Sequence, residues 1–280
     1  MAKVDIDAII SDYPEEIFAP PEPDRVTKKP TTGYDPFEDL IEEIGSTPRH
    51  TTWVVYGKNG TGKTTFGASG EGTLVAEIEK DGTFSVRDKN SKAKKFKLRT
   101  WKDFEKLYWY LKDNHTKYKI VVLDTLTRLQ ELCIREVVLG DKAKDADLME
   151  KDVIQITLNQ RGQIAQKMVY WLNAFNNLPL HKVWLCQEAG NSEDLDVKDY
   201  EAYPDLTRKI RIYVCSDATV IARTMIKTKE AIVDGALKKE PVYVLSTAPS
   251  EGYIIKDRTN VLGRGAIDPK IDELINKIYK

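Results

Sequence analysis

An eight-residue loop between an apolar run and a helix-forming run restricts the fold of this chain more than any other feature. The loop runs from Gly57 to Thr64, reads GKNGTGKT and fits the pattern G-x-x-x-x-G-K-[ST] at every position. Its glycines let the chain curl so tightly that several backbone N–H groups converge on one anion. The helix that begins near Gly62 adds the positive end of its dipole. The loop therefore predicts a nucleotide phosphate site after a β-strand.

The side chains of the loop predict how a nucleotide is held. Lys63 is expected to reach the β- and γ-phosphates as a point charge, and the Thr64 hydroxyl is expected to bind Mg²⁺. The expected cofactors are therefore ATP and Mg²⁺. The residues predicted to bind the nucleotide are Gly57, Lys58, Asn59, Gly60, Thr61, Gly62, Lys63, Thr64 and Thr65.

A carboxylate is expected near this loop, at the end of a buried strand. Mg²⁺ keeps hydration waters, which need an acceptor close to the β- and γ-phosphates. The apolar run KIVVL, Lys119 to Leu123, ends at Asp124. Asp124 is thus the predicted second metal residue, and it can also cap the helix that follows.

Hydrolysis also requires a group that orients the attacking water, and two glutamates stand at strand ends. Glu79 follows TLVAEI and is the first choice, while Glu188, at the end of HKVWLCQE, is the second. Gln187 is a candidate sensor of the γ-phosphate, because its amide can report the phosphate by hydrogen bonding. A single glutamate is more often a solvated loop residue, so the choice between the two stays open here.

Two cations close a late apolar run. Lys256 and Arg258 lie two apart in IIKDR, so on a strand they point the same way and can reach one phosphate together. If protomers assemble head to tail, the pair can enter the neighbouring ATP site as a finger. The alternative is ordinary surface charge.

The composition is that of a globular protein. The chain has 280 residues and 41% hydrophobic content, enough for a substantial core. No apolar stretch approaches the roughly 20 residues that cross a bilayer, and the first ten residues are too acidic for a secretion signal. We therefore expect a cytoplasmic protein without membrane contact. The three cysteines, Cys133, Cys186 and Cys215, lack metal-ligand spacing and are expected to be reduced core residues.

The first 48 residues differ from the rest. Residues 1–50 hold 7 of the 12 prolines, with 12 acidic and 5 basic side chains. Proline removes backbone donors and the charges oppose burial, so we expect a mostly extended acidic tail over residues 1–48. Within it, Asp35 to Ile44 has the apolar spacing of a short amphipathic helix that can dock on the body or on a partner.

From residue 50 the sequence alternates between strand-like and helix-like runs, which is typical of an α/β fold. The predicted strands are Thr52–Tyr56, Thr73–Ile78, Lys119–Leu123, His181–Cys186, Ala218–Arg223, Val242–Ser246 and Tyr253–Lys256. The predicted helices begin near Gly62 and Thr100 or cover about Thr125–Val138, Asp152–Asn176 and Pro269–Tyr279. Thr100 and Asp103 form the pattern of a capping box. One domain is expected over residues 49–280.

Seven segments over about residues 50–265 occur in the order in which similar segments follow one another in a known protein family. They read VVYGKNGTGKTT, VAEIEKDGT, IVVLDTLTRL, VWLCQE, PDLTRKI, CSDATVIART and IIKDR. Together they resemble RecA-like ATPases, and more narrowly the phage-encoded AAA-type nucleotide-binding proteins that include Sak-type RecA-like single-strand annealing proteins. The phosphate loop identifies only the superfamily, whereas the order of the later segments, above all KDR, narrows the resemblance.

The resemblance implies an α/β RecA-like P-loop NTPase core. Its mostly parallel central sheet would be flanked by helices, with antiparallel strands added near the C-terminus. It also implies Glu79 as the catalytic carboxylate and Lys256 and Arg258 as fingers that act on a neighbouring protomer. The carboxylate strand here reads AEIEKDG, so Glu77 or Asp81 is an alternative equivalent. The acidic tail is not part of the shared pattern.

The expected function is ATP-dependent DNA recombination, annealing or replication by an oligomer on single-stranded DNA. The basic run KAKKFKLR, Lys92 to Arg99, has an aromatic residue at its centre and suits phosphates and a stacked base, although a solvated strand explains it as well. The acid-rich loop Glu188 to Asp205 argues against DNA there. A single-strand-binding or replication protein is a further expected partner. The alternatives are a nucleotide-dependent interaction module with slow turnover and a small-molecule kinase, although no arginine-dense lid is evident.

Overall fold

The computed structural model describes residue 41 and residues 50–79, 82–86, 91–140, 156–190, 197–233 and 236–280. The chain divides into two units, Met1–Arg49 and His50–Lys280, and the fold described below is that of the second unit. The tail expected over residues 1–48 and the helix expected at Asp35 to Ile44 lie, apart from Ile41, outside the described residues.

A central sheet runs through the second unit, and its strands follow the order β10-β8-β7-β1-β5-β4-β2-β3. Two short strands lie off this path, since β6 pairs with β5 and β9 with β7. The strand bounds are β1 Thr52–Gly57, β2 Thr73–Glu77, β3 Lys94–Lys97, β4 Ile120–Asp124, β5 His181–Ala189, β6 Tyr203–Pro204, β7 Val220–Val233, β8 Ala236–Ser246, β9 Lys256–Asp257 and β10 Gly265–Ile267. Strands β3, β2, β4, β5, β1 and β7 are mutually parallel. Strands β8, β10 and β9 are added antiparallel, which confirms the predicted sheet.

Helices cover both faces of this sheet. Their bounds are α1 Lys63–Gly67, α2 Trp101–Asn114, α3 Leu126–Leu139, α4 Leu158–Asn176, α5 Arg208–Asp217 and α6 Ile271–Ile278, with 3-10 turns at Gly82–Val86 and His115–Lys117. One core lies between the sheet and α2, α3, α4 and α5, and the other lies between the sheet and α1 and α6. The capping box predicted at Thr100 and Asp103 is present at the start of α2. No helix in the described ranges is both long and apolar enough to cross a membrane.

Alternate side chains of the central strand β1 point to opposite faces of the sheet and so belong to different cores. Val54 and Tyr56 of β1 belong to the core under α2 to α5, whereas Trp53 and Val55 belong to the other core. All four side chains are fully buried, because helices cover both faces of a parallel strand. This double burial explains why β1 reads as a continuous apolar run rather than as an alternating one.

Several elements differ from the sequence-based expectation. Strands β6 and β10 were not predicted, and the strand predicted at Tyr253–Lys256 forms only from Lys256 onward, as β9. Helix α5 was not predicted, because its centre consists mainly of β-branched and aromatic residues of modest helix propensity, Ile210, Ile212, Tyr213 and Val214. Burial of Ile210 and Val214 against the core stabilises the helix. Strands β7 and β8 are longer than predicted and form a hairpin that passes the end of β1 at the Tyr56 to Arg223 pair. Residues 226–230 of that hairpin are all exposed, so they carry no apolar pattern to reveal a strand.

We expect Phe104→Ala to destabilise this unit by about 3–5 kcal/mol, because the truncation leaves a cavity in a rigid core. Phe104 is fully buried, and its ring stacks on Phe175 with centroids 4.6 Å apart. Urea denaturation followed by circular dichroism gives the difference in free energy of unfolding. The control is Ile212→Ala on the exposed side of α5, for which we expect a change within about 0.5 kcal/mol. Equal losses in the two variants would contradict the assignment of the core.

Candidate functional site

Four parallel strands, β1, β5, β4 and β2, bring several of the predicted site residues together at the edge of the sheet formed by their carboxyl ends. At the ends of these strands Gly57 lies opposite Gln187, and Glu77 lies opposite Asp124. Strand β5, although late in the sequence, lies between β1 and β4. Ligands of open α/β sheets bind outside the carboxyl ends of such strands. The strand order therefore places Gln187, on β5, between the phosphate loop after β1 and Asp124 on β4.

The phosphate loop packs closely against Thr224 of strand β7. A Cβ atom on Gly57 would lie 2.2 Å from the Thr224 hydroxyl oxygen and 2.6 Å from the Thr224 carbonyl oxygen, so only glycine fits there. The Thr61 hydroxyl lies 2.7 Å from both the Thr224 hydroxyl and the Lys58 carbonyl oxygen. Gly62, with a φ of 89°, turns the chain into α1 in a conformation that disfavours other residues. The loop thus has the tight curl that its sequence predicts.

Lys63 lies folded within the loop. Its ammonium group donates to the carbonyl oxygens of Gly57 and Lys58, at 2.7 and 2.8 Å. Burial lowers the pKa of Lys63, and the nearby Asp124 carboxylate acts in the opposite direction. A lysine has three donors, so two bonds to carbonyls leave one donor for an anion held by the loop.

The Thr64 hydroxyl and the Asp124 carboxylate are in direct contact. The hydroxyl donates to Asp124 Oδ2 at 2.7 Å, although β1 and β4 are not neighbours in the sheet. Asp124 is only 4% exposed, and burial raises its pKa to about 6 despite the bond from Thr64. A hydroxyl and a carboxylate are oxygen ligands of the kind that Mg²⁺ prefers. Among the described residues, no cluster of three or more His, Cys, Asp or Glu side chains could hold a metal by itself, so phosphate oxygens would have to complete the shell.

Glu79 and Gln187 are brought together at the same edge. Gln187 Nε2 donates to Glu79 Oε1 at 3.1 Å. The same carboxylate oxygen lies 3.6 Å from Arg128 Nε. The Arg128 guanidinium is in turn held by both carboxylate oxygens of Glu131, at 2.9 and 2.7 Å. Glu79 is therefore oriented by an amide and a guanidinium.

Arg128 was missed in the sequence analysis. It stands in the first turn of α3, four residues after Asp124. A cation in that turn opposes the helix dipole, which favours negative charge at this end. That unfavourable position, directly after the candidate metal residue, is the sequence signal that identifies Arg128 as a site residue.

The alternative carboxylates are held in other contacts. Glu77 accepts from the Thr83 amide and hydroxyl, at 3.0 and 2.6 Å, and lies 3.4 Å from Lys95 Nζ. Burial acts to raise the pKa of Glu77, but these bonds outweigh it and hold the pKa below its usual range. Glu188 forms a two-bond ion pair with Arg223, at 2.8 and 3.0 Å, with its side chain only 5% exposed. Asp81, the remaining alternative, lies outside the described residues.

Lys256 and Arg258 lie at the opposite edge of the sheet. Lys256 pairs with Ile221 at the beginning of β7, whereas the phosphate loop follows the end of the parallel strand β1. Lys256 Nζ donates to the carbonyl oxygens of Cys215 and Ser216, and Arg258 Nη2 also donates to Ser216. The two cations thus point the same way, as expected, and contact the last turn of α5. They do not reach the phosphate loop of their own chain.

A cavity of about 620 Å³ opens on the other side of the phosphate loop. Its lining includes Gly62, Thr65 and Thr224, together with Tyr243 of β8 and Asp268 before α6. A Cβ atom on Gly62 would lie 2.9 Å from the Tyr243 ring, so this aromatic side chain borders the loop closely. The cavity therefore adjoins the phosphate loop, and Asp124 is not one of its lining residues.

The basic run Lys92 to Arg99 forms the edge of the sheet. Its centre is strand β3, and the Phe96 side chain packs against the core instead of lying open for a base. Lys92 bonds to Glu71 at 2.6 Å. The Arg99 guanidinium donates to the Glu77 carbonyl oxygen at 3.0 Å. The run therefore has the contacts of a structural edge strand.

In the metal-free protein, we expect Asp124→Asn to raise the free energy of unfolding at neutral pH, because it removes a buried charge while an amide oxygen still accepts from Thr64. The folded pKa of about 6 exceeds the usual 3.8, so the penalty in the wild-type protein is relieved as the pH falls through this window. Denaturation in the presence of a chelator, at several pH values, measures the difference. Glu251→Gln, at an exposed glutamate, is the control and should change little. Lower stability of Asp124→Asn at neutral pH would contradict this reading of the burial.

The comparisons with known proteins agree with this geometry. A family model described as an AAA domain matches residues 49–259, which is well over half of the chain. The comparison with curated proteins returns no match. The matched segment contains the phosphate loop, Asp124 and the other candidate site residues on an α/β P-loop core. The chain therefore belongs to the AAA domain family and has the core of a nucleotide-binding ATPase.

Proposed function

We propose that the protein is a Mg²⁺-dependent ATPase that acts as an oligomer on single-stranded DNA, in phage recombination, annealing or replication. The contact that carries the ATPase part is the 2.7 Å bond between Thr64 and Asp124, beside the Lys63 ammonium group. The DNA part rests on the resemblance of the later segments to phage RecA-like annealing proteins.

The residues of the loop divide the work of holding ATP. Backbone N–H groups of the curl and the third donor of Lys63 bind the phosphate oxygens. Thr64 and Asp124 would hold Mg²⁺, which when bound neutralises charge on the β- and γ-phosphates. The carboxylate of Asp124 must be ionised for this role, and a nearby dication favours the ionised form.

Glu79 is the proposed residue that orients the attacking water. Among the carboxylates described at this edge, Glu77 and Glu188 are buried in their ion pairs, whereas the Glu79 side chain is 36% exposed and contacts Gln187 and Arg128. Gln187 stands at the end of the strand between the phosphate loop and Asp124. A γ-phosphate that draws the Gln187 amide to itself would change the hydrogen bonding of Glu79, so nucleotide state and catalytic carboxylate would be linked.

The position of Lys256 and Arg258 is the observation that bears on the proposed oligomer. Because these cations lie at the sheet edge opposite the phosphate loop, a finger role requires a second protomer. In a head-to-tail assembly this edge of one protomer would meet the nucleotide edge of the next. The pair would then exchange the carbonyl oxygens of α5 for phosphate oxygens.

The cavity beside Tyr243 is the proposed place of the nucleotide base. It adjoins Gly62 and Thr65, and its size is in the range of small-molecule pockets. An aromatic ring at the rim can contact the face of a base. In this arrangement the base and the metal lie on opposite sides of α1.

A second candidate function is a nucleotide-dependent interaction module with slow turnover. It is favoured by the contacts of Glu79, because a carboxylate restrained by both Arg128 and Gln187 is a poor partner for water until those contacts change. Phosphate release with and without single-stranded DNA separates the two functions. Stimulation by DNA supports the first, and absence of turnover leaves only the second.

We expect Lys63→Ala to lose ATP binding, because it removes the charge inside the loop. A fluorescent ATP analogue titrated in the presence of Mg²⁺ measures the affinity, and we expect a decrease of at least about tenfold. Lys106→Ala is the matched control, since Lys106 is an exposed lysine of α2 outside the phosphate loop. Retained affinity in Lys63→Ala would refute the assignment of the phosphate site.

We expect Glu79→Gln to bind ATP normally but to lose about 10²- to 10⁴-fold in kcat, as is typical when a group that handles the attacking water is removed. Steady-state phosphate release gives kcat, and the same fluorescent analogue verifies binding. Glu188→Gln serves as the comparison, because its carboxylate is paired with Arg223. A loss of kcat in Glu188→Gln alone would transfer the catalytic role to Glu188.

A further inference from the structure

Four aromatic rings from two neighbouring helices lie side by side on the surface of the AAA domain. We call them the aromatic row; in spatial order they are Trp109, Tyr108, Trp171 and Tyr170. Consecutive ring centroids are 5.1, 5.4 and 5.7 Å apart. Helix α2 supplies two of the rings and α4 the other two. The row thus crosses the groove between these helices.

The two ends of the row are exposed while its centre is anchored. Trp109 is 54% exposed and Tyr170 is 69% exposed. Tyr108 and Trp171 pack against the core, and the Tyr108 ring lies 5.5 Å from that of Phe175. Exposed large aromatic side chains that are contiguous and held by a rigid scaffold mark interaction surfaces more often than isolated ones do.

The surroundings of the row favour an anionic partner. Residues 101–119 and 158–176, which include both helices, carry seven Lys or Arg and three Asp or Glu. Of the three acids, Asp103 caps α2 and Glu105 accepts from Trp101 Nε1 at 2.7 Å, so both have structural roles. The Lys112 ammonium group lies 5.0 Å from the centroid of Trp109 and adds positive charge at the exposed end of the row.

We infer that the aromatic row binds single-stranded DNA, with bases stacked on Trp109 and Tyr170 and phosphates near the lysines. Single-stranded nucleic acid combines flat apolar faces with regular negative charge, which are the two properties that this surface complements. A duplex hides its base faces inside the helix and lacks that combination. The inference rests on the proposed function and names the surface through which the ATPase holds its DNA.

The basic run Lys92 to Arg99 does not offer the same combination. Its aromatic residue, Phe96, packs against the core, and Lys92 is bonded to Glu71. The aromatic row instead presents its rings on two helices whose packing fixes them before a ligand arrives. Preorganised rings lose little entropy on binding, which favours stacking.

The test uses the full chain and a labelled oligothymidylate of about 16 nucleotides, a length at the upper end of common site sizes. Fluorescence anisotropy gives the affinity at fixed salt for wild type, Trp109→Ala, Tyr170→Ala and the double variant. We expect each single variant to lose about tenfold in affinity and the double variant about a hundredfold. Trp109→Phe and Tyr170→Phe keep a ring and should stay within about threefold of the wild type.

Two controls separate the surface from general effects. Leu158→Ala removes an exposed apolar side chain from the same helix as Tyr170, outside the row, and should bind like the wild type. ATP hydrolysis without DNA should be unchanged in the Ala variants, because neither Trp109 nor Tyr170 belongs to the candidate nucleotide site and both side chains are exposed. Thermal unfolding verifies that the variants are folded. A duplex competitor of the same length should displace the oligonucleotide less well than a single strand does.

The outcomes distinguish this inference from the function on which it rests. If the wild type and the double variant bind the oligonucleotide equally, the row is not the DNA surface, although the proposed DNA function stands. If the wild type hydrolyses ATP but binds no single-stranded DNA, the DNA function and this inference fall together. If the double variant alters only self-association in sedimentation, the row is a contact between copies and the inference is wrong.

Discussion

The bond between the Thr64 hydroxyl and the Asp124 carboxylate joins helix α1, which follows β1, to the end of β4, although β1 and β4 are not neighbours in the sheet. It is formed because β5 enters between β1 and β4 and leaves both of their carboxyl ends at one edge. The positions of Gln187 and Glu79 follow from this arrangement, since Gln187 then stands between the phosphate loop and Asp124, and Glu79 contacts Gln187. A hydroxyl and a carboxylate held together in this way are prepared for a cation before it binds.

The charged side chains at this edge of the sheet differ in whether they already have an ion-pair partner within the protein. Asp124 and Lys63 are both buried, and burial raises the pKa of Asp124 and lowers that of Lys63, so it disfavours the charged form of each. A bound Mg²⁺ would stabilise the Asp124 carboxylate, and a bound triphosphate would stabilise the Lys63 ammonium group. Glu77 and Glu188 already have partners within the protein, and their ion pairs stabilise strand ends. Burial therefore separates these two carboxylates from Glu79, whose side chain is 36% exposed although it also contacts Arg128. Spacing along the chain does not contain this distinction.

Local sequence was sufficient where chemistry and burial coincide in a few consecutive residues. The phosphate loop is recognisable because glycines, Lys63 and Thr64 must follow one another, and the buried strands because both of their faces are apolar. It was insufficient for α5, whose central residues are β-branched or aromatic, and for residues 226–230 of the β7–β8 hairpin, whose side chains are exposed. The aromatic row is another such case, since it requires that α2 and α4 pack side by side.

By itself, the sequence determined that the chain has an α/β fold with a mostly parallel sheet. It also determined that the loop from Gly57 to Thr64 leads into a helix, because steric and hydrogen-bonding requirements act there between near neighbours. Only the tertiary structure decided that Glu79 contacts Gln187 and Arg128, whereas Glu77 and Glu188 are buried in ion pairs with Lys95 and Arg223. It also decided that Lys256 and Arg258 lie at the far edge of the sheet. These facts depend on strand order, and strand order results from packing between segments that are distant in the chain.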